Sequence, residues 1–413
     1  MARLFIENIG PIKHVNIDLN RVNVFIGPQS SGKSTIAKLI SFCSWMEKHN
    51  EATEEAFERG LVKTLKEYYR MSGYFNEDSV FLYEGEDVDI AYNCELMRVS
   101  GSCNFYHIHP KEFLGHHLER TVNPKVLYIP AERNFVSSVP NLKRYTEDND
   151  SLQSFINDWF EAKRHFSPDT PLDIKPLGIK YYYNEKADRD YFVLDETVVE
   201  NSPMMLNEGS SGQQSLVPLM VLVDWISRGI YETAKPFSPI ERERIKDLLT
   251  QMSSSEQEKQ LINRLKGFLG GKIYSHSQFV IEEPEQNLFP STQKDLLYSL
   301  LASINHGRNH KMVITTHSPY ILYALNNAMM AYLVKDNAQM PDKVRETIGC
   351  LGAAFDPKQV SVWQIQDGCL VGLDGEQNGT IQDKNGLIRR NYFDSVMGDI
   401  MSDFNNMVNF YEP

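Results

Sequence analysis

The sequence predicts an α/β fold: a mixed sheet with an N-terminal antiparallel strand layer and a helical insert or lobe. Three observations predict it. Apolar runs at Val22–Ile26, Phe279–Ile281 and Met312–Ile314 suit buried strands and are too short for buried helices. The first runs into glycine, the second into a carboxylate pair and the third into threonines and a histidine. Helical periodicity then takes over, as at Ile36, Leu39, Ile40 and Cys43, which fall at i, i+3, i+4 and i+7.

Taken in chain order, Leu4, Ile6, Val15, Ile17 and Leu19 alternate as paired strands do, and Gly10-Pro11 supplies the turn between them. With the strand Val22–Ile26 and the helix after it, residues 1–46 form a first lobe. Residues 47–120 are mixed and polar, with acidic clusters at Glu51–Glu58 and Glu84–Asp89 and no sustained heptads. They read as an inserted subdomain. Residues 121–330 form a second half, which opens on the strand Val126–Ile129 and its sequel Pro130-Ala131-Glu132-Arg133. Within it, Lys180–Tyr183 and Tyr191–Leu194 read as a hairpin, and the charged stretches Glu241–Arg244 and Glu256–Lys266 as exposed helices. Residues 331–413 are a tail that completes the head. There Val360–Gln366 and Cys369–Leu373 flank Asp367-Gly368, a dipeptide suited to a tight primed turn.

Composition narrows the setting. The 413 residues are 41% hydrophobic and 23% charged, which excludes collagen-like and disordered chains. Apolar runs such as Leu216–Val223 fall far short of the roughly 20 residues of a membrane span. Arg3, Glu7 and Asn8 interrupt the opening segment, so it does not read as a signal peptide. Five cysteines, odd in number and without CxxC spacing, argue against a disulfide framework and a structural zinc. A cytoplasmic protein with no membrane association is expected. Its net charge of −13 excludes a broadly basic surface, so DNA is permitted only through a local patch.

Four motifs carry chemistry. Gly27-Pro28-Gln29-Ser30-Ser31-Gly32-Lys33-Ser34 fits GxxxxGK[ST] between a strand and a helix, with Thr35 following. In such a loop backbone N–H groups curl around phosphates, Lys33 neutralises β/γ oxygens and Ser34 ligates Mg²⁺. The second motif is Glu282-Glu283, delivered by an apolar strand to its carboxyl end. Such an edge can hold a metal-water network, with Glu282 on the Mg²⁺ shell and Glu283 polarising the attacking water. An acidic helix start is the plain alternative, since Pro290, Leu297, Leu300, Leu301 and Ile304 mark a helix just beyond. The third motif is His317, which ends the strand after the acidic one and can reach a γ-phosphate or serve structure alone. The fourth is Gly209-Ser210-Ser211-Gly212-Gln213, an anion site at a helix start or an ordinary N-cap.

In this order the four motifs resemble the ABC-class P-loop ATPase heads of the SMC, RecF and OLD groups. Gly209–Gln213 lies over the LSGGQ signature, with Gly209 in place of Leu and Ser211 in place of the first Gly. The opening Leu4–Asn8 and Asn23–Gly27 is similar to the start of RecF and SMC heads, and Glu282–Leu288 looks most like the OLD branch. The resemblance covers about half the chain and points to stand-alone OLD-like ATPases of phage defence, of the PARIS or Septu type. It implies ATP sandwiched between two heads packed head to tail, as a homodimer or higher homo-oligomer. One head supplies the phosphate loop, Glu282, Glu283 and His317, and the other supplies Ser210, Gly212 and Gln213. It also aligns Pro130–Arg133 with a Pro-x-x-Arg segment, in which Arg133 lines the site or makes a structural ion pair. No heptad arm is present, and the 96 residues after His317 lack an Asp-x-Asp metal pair, so no intrinsic nuclease is expected. The expected function is an ATPase that senses or regulates a separate effector, a nuclease by the resemblance. A RecF-like DNA-repair or chromosome-maintenance ATPase is the alternative, and a transporter ATPase fits least.

Overall fold

The computed structural model describes residues 2–48, 64–85, 88–93, 106–110, 124–139, 142, 150–194, 202–232, 274–336 and 341–411. Most of the expected insert before residue 75, the cluster Glu51–Glu58 and the expected helices of 241–266 lie outside the described residues. The fold is α/β with a mixed sheet.

The N-terminal strands are β1 (Arg3–Ile9), β2 (Ile12–Asp18) and β3 (Val22–Ile26), followed by β4 (Phe75–Glu84), β5 (Val88–Asn93), β6 (Tyr106–Pro110) and β7 (Lys125–Ile129). A second group comprises β8 (Leu172–Ile174), β9 (Ile179–Asn184), β10 (Arg189–Leu194) and β11 (Met204–Met205). The last strands are β12 (Ser277–Glu282), β13 (Lys311–Thr315), β14 (Val360–Gln366) and β15 (Cys369–Leu370). Among the described residues the main sheet has 11 strands in the order β6-β5-β4-β1-β2-β15-β14-β3-β13-β12-β7. Its β6-β5-β4-β1-β2 end is antiparallel, and its β14-β3-β13-β12-β7 end is parallel. Strands β4, β5 and β6, inside the stretch expected to be an insert, therefore extend the main sheet at its antiparallel edge. Strands β8–β11 form a separate antiparallel sheet that contains the expected hairpin, with Tyr182 opposite Tyr191.

Strand parity assigns the sheet's two faces. Val24, Ile26, Phe279, Ile281, Met312 and Ile314 join one core, whereas Phe25, Val280 and Val313 join the other. Because both faces are covered, β3, β12 and β13 read as continuous apolar runs. Helix α1 (Lys33–Lys48) buries Ile36, Leu39, Ile40 and Cys43 completely in the second core, beside Leu4, Ile6, Val15 and Ile17. Each such side chain contributes about 2 kcal/mol of burial. The opposite face carries α2 (Ser151–Ala162), α3 (Ser211–Asp224), α4 (Pro290–Ile304) and α5 (Pro319–Val334). No helix among the described residues is long and apolar enough to cross a membrane.

The tail enters the sheet at its centre. β14 pairs in parallel with β3, opposing Val24 to Val362, and turns back through Asp367 (φ 51°) and Gly368 (φ 80°) into β15. Two consecutive positive φ values are what a primed hairpin turn requires. The turn also docks on the start of β2, where Lys13 N–H donates to Gly368 O at 2.8 Å. Its second strand is only two residues long, shorter than the expected Cys369–Leu373. The final element, α6 (Tyr392–Val408), begins with a capping box: Asn391 accepts from Phe393 N–H, and Asp394 accepts from Asn391 N–H.

Candidate functional site

The carboxyl ends of four neighbouring parallel strands build the site. β3 runs into residues 27–32, β13 into Thr316-His317, β12 ends at Glu282, and β7 leads into Pro130–Arg133. Their registers place Ile314 beside both Val24 and Ile281. Sequence-distant motifs thus meet at one edge of the sheet because parallel strands all point the same way.

The loop 27–32 is fixed by its glycines. Gly27 has φ 145°, and a Cβ there would lie 2.2 Å from the carbonyl oxygen of Ile365 in β14. Gly32 has φ 105°, and its Cβ would lie 2.2 Å from Ile12 Cδ1. No other residue fits either position without moving the backbone. Lys33 is 5% exposed, and its ammonium donates to Gly27 O at 3.0 Å and Pro28 O at 2.7 Å. Burial pulls its pKa down to about 8, against the opposing influence of Glu283 and Glu285. Backbone N–H groups at the start of α1, where Ile36 N–H bonds Gly32 O, leave the loop with donors available to an anion.

Glu282 ends β12 with 6% exposure, and the hydroxyls of Ser34 and Tyr128 lie against its carboxyl. Burial holds this carboxyl above the usual range, opposed by Lys38 and by those two hydroxyls. Its Oε1 is buried without a hydrogen-bond partner. An orphaned carboxylate oxygen beside a phosphate-loop serine is a donor set that fits a hard cation with a water shell.

Glu283 takes a left-handed conformation at φ 43°, uncommon for a residue with a side chain. The bond from its N–H to Thr315 O, 2.9 Å, ties this turn to β13. The turn brings Oε1 to 3.4 Å from His317 Nε2, with both side chains partly exposed. The contact with His317 holds the Glu283 carboxyl below its ordinary range.

Glu285 and Tyr128 support this edge and were not assigned roles from sequence. Glu285 accepts from His317 N–H at 2.6 Å and so positions the histidine's backbone, while burial raises its carboxyl. Tyr128 contacts Glu282, and burial pushes its hydroxyl well above the ordinary range. Arg133 requires a correction. It is fully buried and donates to carbonyl oxygens: Nε to Ser215 at 3.2 Å, Nη1 to Glu282 at 2.9 Å, and Nη2 to Glu283 at 2.8 Å and Pro284 at 3.1 Å. Among the described residues it makes no ion pair, and it does not line the site as a free cation; it fastens the start of α3 to the acidic turn. Its Pro-Ala-Glu-Arg context was legible, but a bond to backbone leaves no signal in the identity of the residue that accepts it.

Ser210 lies across this clamp from the acidic turn, at the N-cap of α3. Its Oγ accepts from Gln213 N–H at 3.3 Å, and its own N–H donates to Gln213 Oε1 at 2.8 Å. Gly212 faces the backbone of Asn287, where a Cβ would come within 2.9 Å of the carbonyl oxygen. Ser210 and Ser211 are exposed, and no hydrogen bond among the described residues joins Ser210, Gly212 or Gln213 to the loop 27–35. The structure therefore gathers Gly27–Thr35, Glu282, Glu283 and His317 at one edge and leaves 210–213 as a capped, outward-facing helix start.

Residues 137–322 match the protein family described as AAA ATPase domain. The match takes in Ser210–Gln213, Glu282, Glu283 and His317, and leaves the loop 27–35 outside it. No curated protein matches the chain. Among solved structures, an SMC head domain from Thermotoga maritima aligns at 12% identity with a TM-score of 0.35, covering 78% of this chain and 90% of that one. An Smc head domain from Pyrococcus furiosus, bound to the C-terminal domain of ScpA, aligns at 11% identity and 0.35, covering 78% and 92%. A dimeric bacterial ABC transporter cassette aligns at 12% and 0.29, covering 91% and 98%.

Proposed function

We propose that the protein binds and hydrolyses ATP and uses the cycle to regulate a separate effector protein, in phage defence by its resemblance to OLD-like ATPases. The observation that carries the nucleotide chemistry is the convergence of loop 27–35, Glu282, Glu283 and His317 at the carboxyl ends of adjacent parallel strands.

In this reading, backbone N–H groups of residues 27–33 and the N-terminus of α1 hold the phosphates. Lys33, already parked on the loop's own carbonyls, exchanges them for phosphate oxygens. Ser34 and the orphaned Oε1 of Glu282 hold Mg²⁺, directly or through water; the ion, when bound, neutralises charge developing on the transferred phosphoryl group. Glu283 is ionised at neutral pH, because its carboxyl is lowered, and it orients a water by accepting a hydrogen bond. His317 fixes the rotamer of Glu283 and faces the γ-phosphate. Ser210, Gly212 and Gln213 serve the site of a second head, which accounts for a capped helix start turned outward. Glu283 and His317 are the catalytic residues of the reading, and the remainder bind nucleotide or metal. Such a head acts in the cytoplasm, and its acidic charge favours a protein effector over bare DNA.

Two variants test the chemistry. Lys33→Ala abolishes binding of a fluorescent ATP analogue, whereas Glu283→Gln retains binding, loses at least a hundredfold in turnover and accumulates ATP-bound paired heads. Ordinary hydrolysis by either variant refutes the assignment. The regulatory half is tested by purification from the native host. A co-purifying protein whose activity changes with ATP supports it, and ATP-stimulated, steeply salt-dependent DNA binding without such a protein supports the RecF-like alternative.

A further inference from the structure

Helix α6 is 17 residues long and buries none of them. That is unusual physically, because a helix of this length holding Gly398, five Asp or Asn residues and two serines draws most of its stability from packing. Its apolar residues are not scattered. Phe393, Met397, Ile400, Phe404, Met407 and Tyr411 alternate spacings of four and three, the seam that a helix presents to another helix. Met397, Ile400, Phe404 and Met407 are 60%, 57%, 58% and 63% exposed, with Val396, Met401, Val408 and Phe410 exposed alongside. Among the described residues the helix is fastened at its start, by its capping box, by Tyr392 N–H to Gln364 Oε1, by the Tyr323 hydroxyl to Asp394 and by Phe393, half-buried against the core.

We propose that α6 pairs with α6 of a second copy of this chain, making a dimer contact separate from any nucleotide-dependent pairing of heads. The exposed apolar surface of α6 together with Phe410 and Tyr411 is on the order of 1,000 Å², beyond what an ordinary monomer leaves in one patch. If half of it is buried from each of two copies, the interface reaches about 1,000 Å², the threshold for a specific contact. A self-matching seam is also what an isologous two-fold contact needs, since the same stripe must serve both partners. The charges lie on the flanks: Asp394, Asp399 and Asp403 are the only charged groups between Tyr392 and Val408. Two copies therefore bring carboxylates toward one another, and added salt strengthens this pairing by screening them. A basic groove on a different protein behaves oppositely, losing affinity as salt rises.

Sedimentation velocity on the nucleotide-free, full-length protein at micromolar concentration tests this. The wild type is expected at twice the 47.5 kDa chain mass, more completely in about 0.5 M salt than in low salt. The double variant Ile400→Asp/Phe404→Asp is expected at one chain mass with an unchanged melting temperature, and Phe404→Leu keeps the dimer. Nucleotide-free wild type at one chain mass overturns the proposal, as does a double-aspartate variant that still sediments at twice it. A dimer that forms only when ATP is added assigns pairing to the nucleotide sites and also overturns it. Because no arm supporting the proposal uses turnover, its failure is distinguishable from failure of the ATPase reading.

Discussion

A guanidinium with no exposed surface has to find an acceptor for nearly every N–H, and Arg133 finds four carbonyl oxygens on two separate segments. Burial lowers its pKa to about 10, which leaves it charged throughout the physiological range. Arg133→Ala strands those carbonyls in a dry interior and is expected to destabilise by about 3–5 kcal/mol, read as a fall in the urea midpoint. Lys33 gives a second prediction at this scale. With its pKa near 8, nucleotide affinity is expected to fall up to tenfold per unit as pH rises above that value, with proton uptake on binding measured by calorimetry in buffers of different ionisation enthalpy. The placement of Lys33, Glu282, Glu283 and His317 at one sheet edge was legible because each follows an apolar strand, Lys33 by way of the glycine loop. Arg133, Tyr128 and Glu285 were not given their roles, because tertiary neighbours decide which atom each one meets.

At the level of elements, the start of α3 is a helix cap to which the proposed function adds a role toward a second head, and a single substitution separates the two. The capping bond of Ser210 contributes about 1 kcal/mol, so Ser210→Ala is expected to lower the melting temperature by only a few degrees. A hundredfold loss of turnover beside that small shift marks a role toward a second head, and unchanged turnover reduces the segment to a cap. The amino ends of β12 and β13 supply a pH-dependent contact far from the chemistry. His310 is fully buried, its Nδ1 accepts from Ser277 N–H at 2.9 Å, and burial lowers its pKa to about 4. Between roughly pH 6.5 and 4 the unfolded chain binds a proton there that the folded chain does not, so stability falls with falling pH, by on the order of 3 kcal/mol in full. His310→Gln retains an acceptor for Ser277 and is expected to flatten the dependence of the melting temperature on pH across that window. Sequence periodicity located these helices and strands well because α1, α4 and the parallel strands bury one continuous face or both. It could not reveal that β4 pairs with β1 and β5 with β4, since strand partners are chosen by register and not by composition.

For the whole molecule, the two proposed pairing surfaces together predict the assembly. If heads pair through ATP and tails through α6, Glu283→Gln with ATP is expected to reach four chain masses or extend into open chains, whereas Ile400→Asp/Phe404→Asp in that background stops at two, as mass photometry would resolve. The α/β class and the mixed sheet were legible from the order of strands and helices. The sheet order was not, because the tail strand β14 inserts between β15 and β3, and no local pattern announces that. That insertion has a consequence in time. The oxygen that forbids a side chain at Gly27 belongs to Ile365, and β3 is flanked by β13 and β14, both made late. At about 5–20 residues per second, roughly 20–70 s separate synthesis of the loop from synthesis of the strand that shapes it. For that interval the nascent chain presents β3 with open edges and an unshaped loop, so ATP cannot assist its folding on the ribosome. Chaperone demand during synthesis, more than the stability of the finished head, is then expected to govern how much active protein a cell obtains.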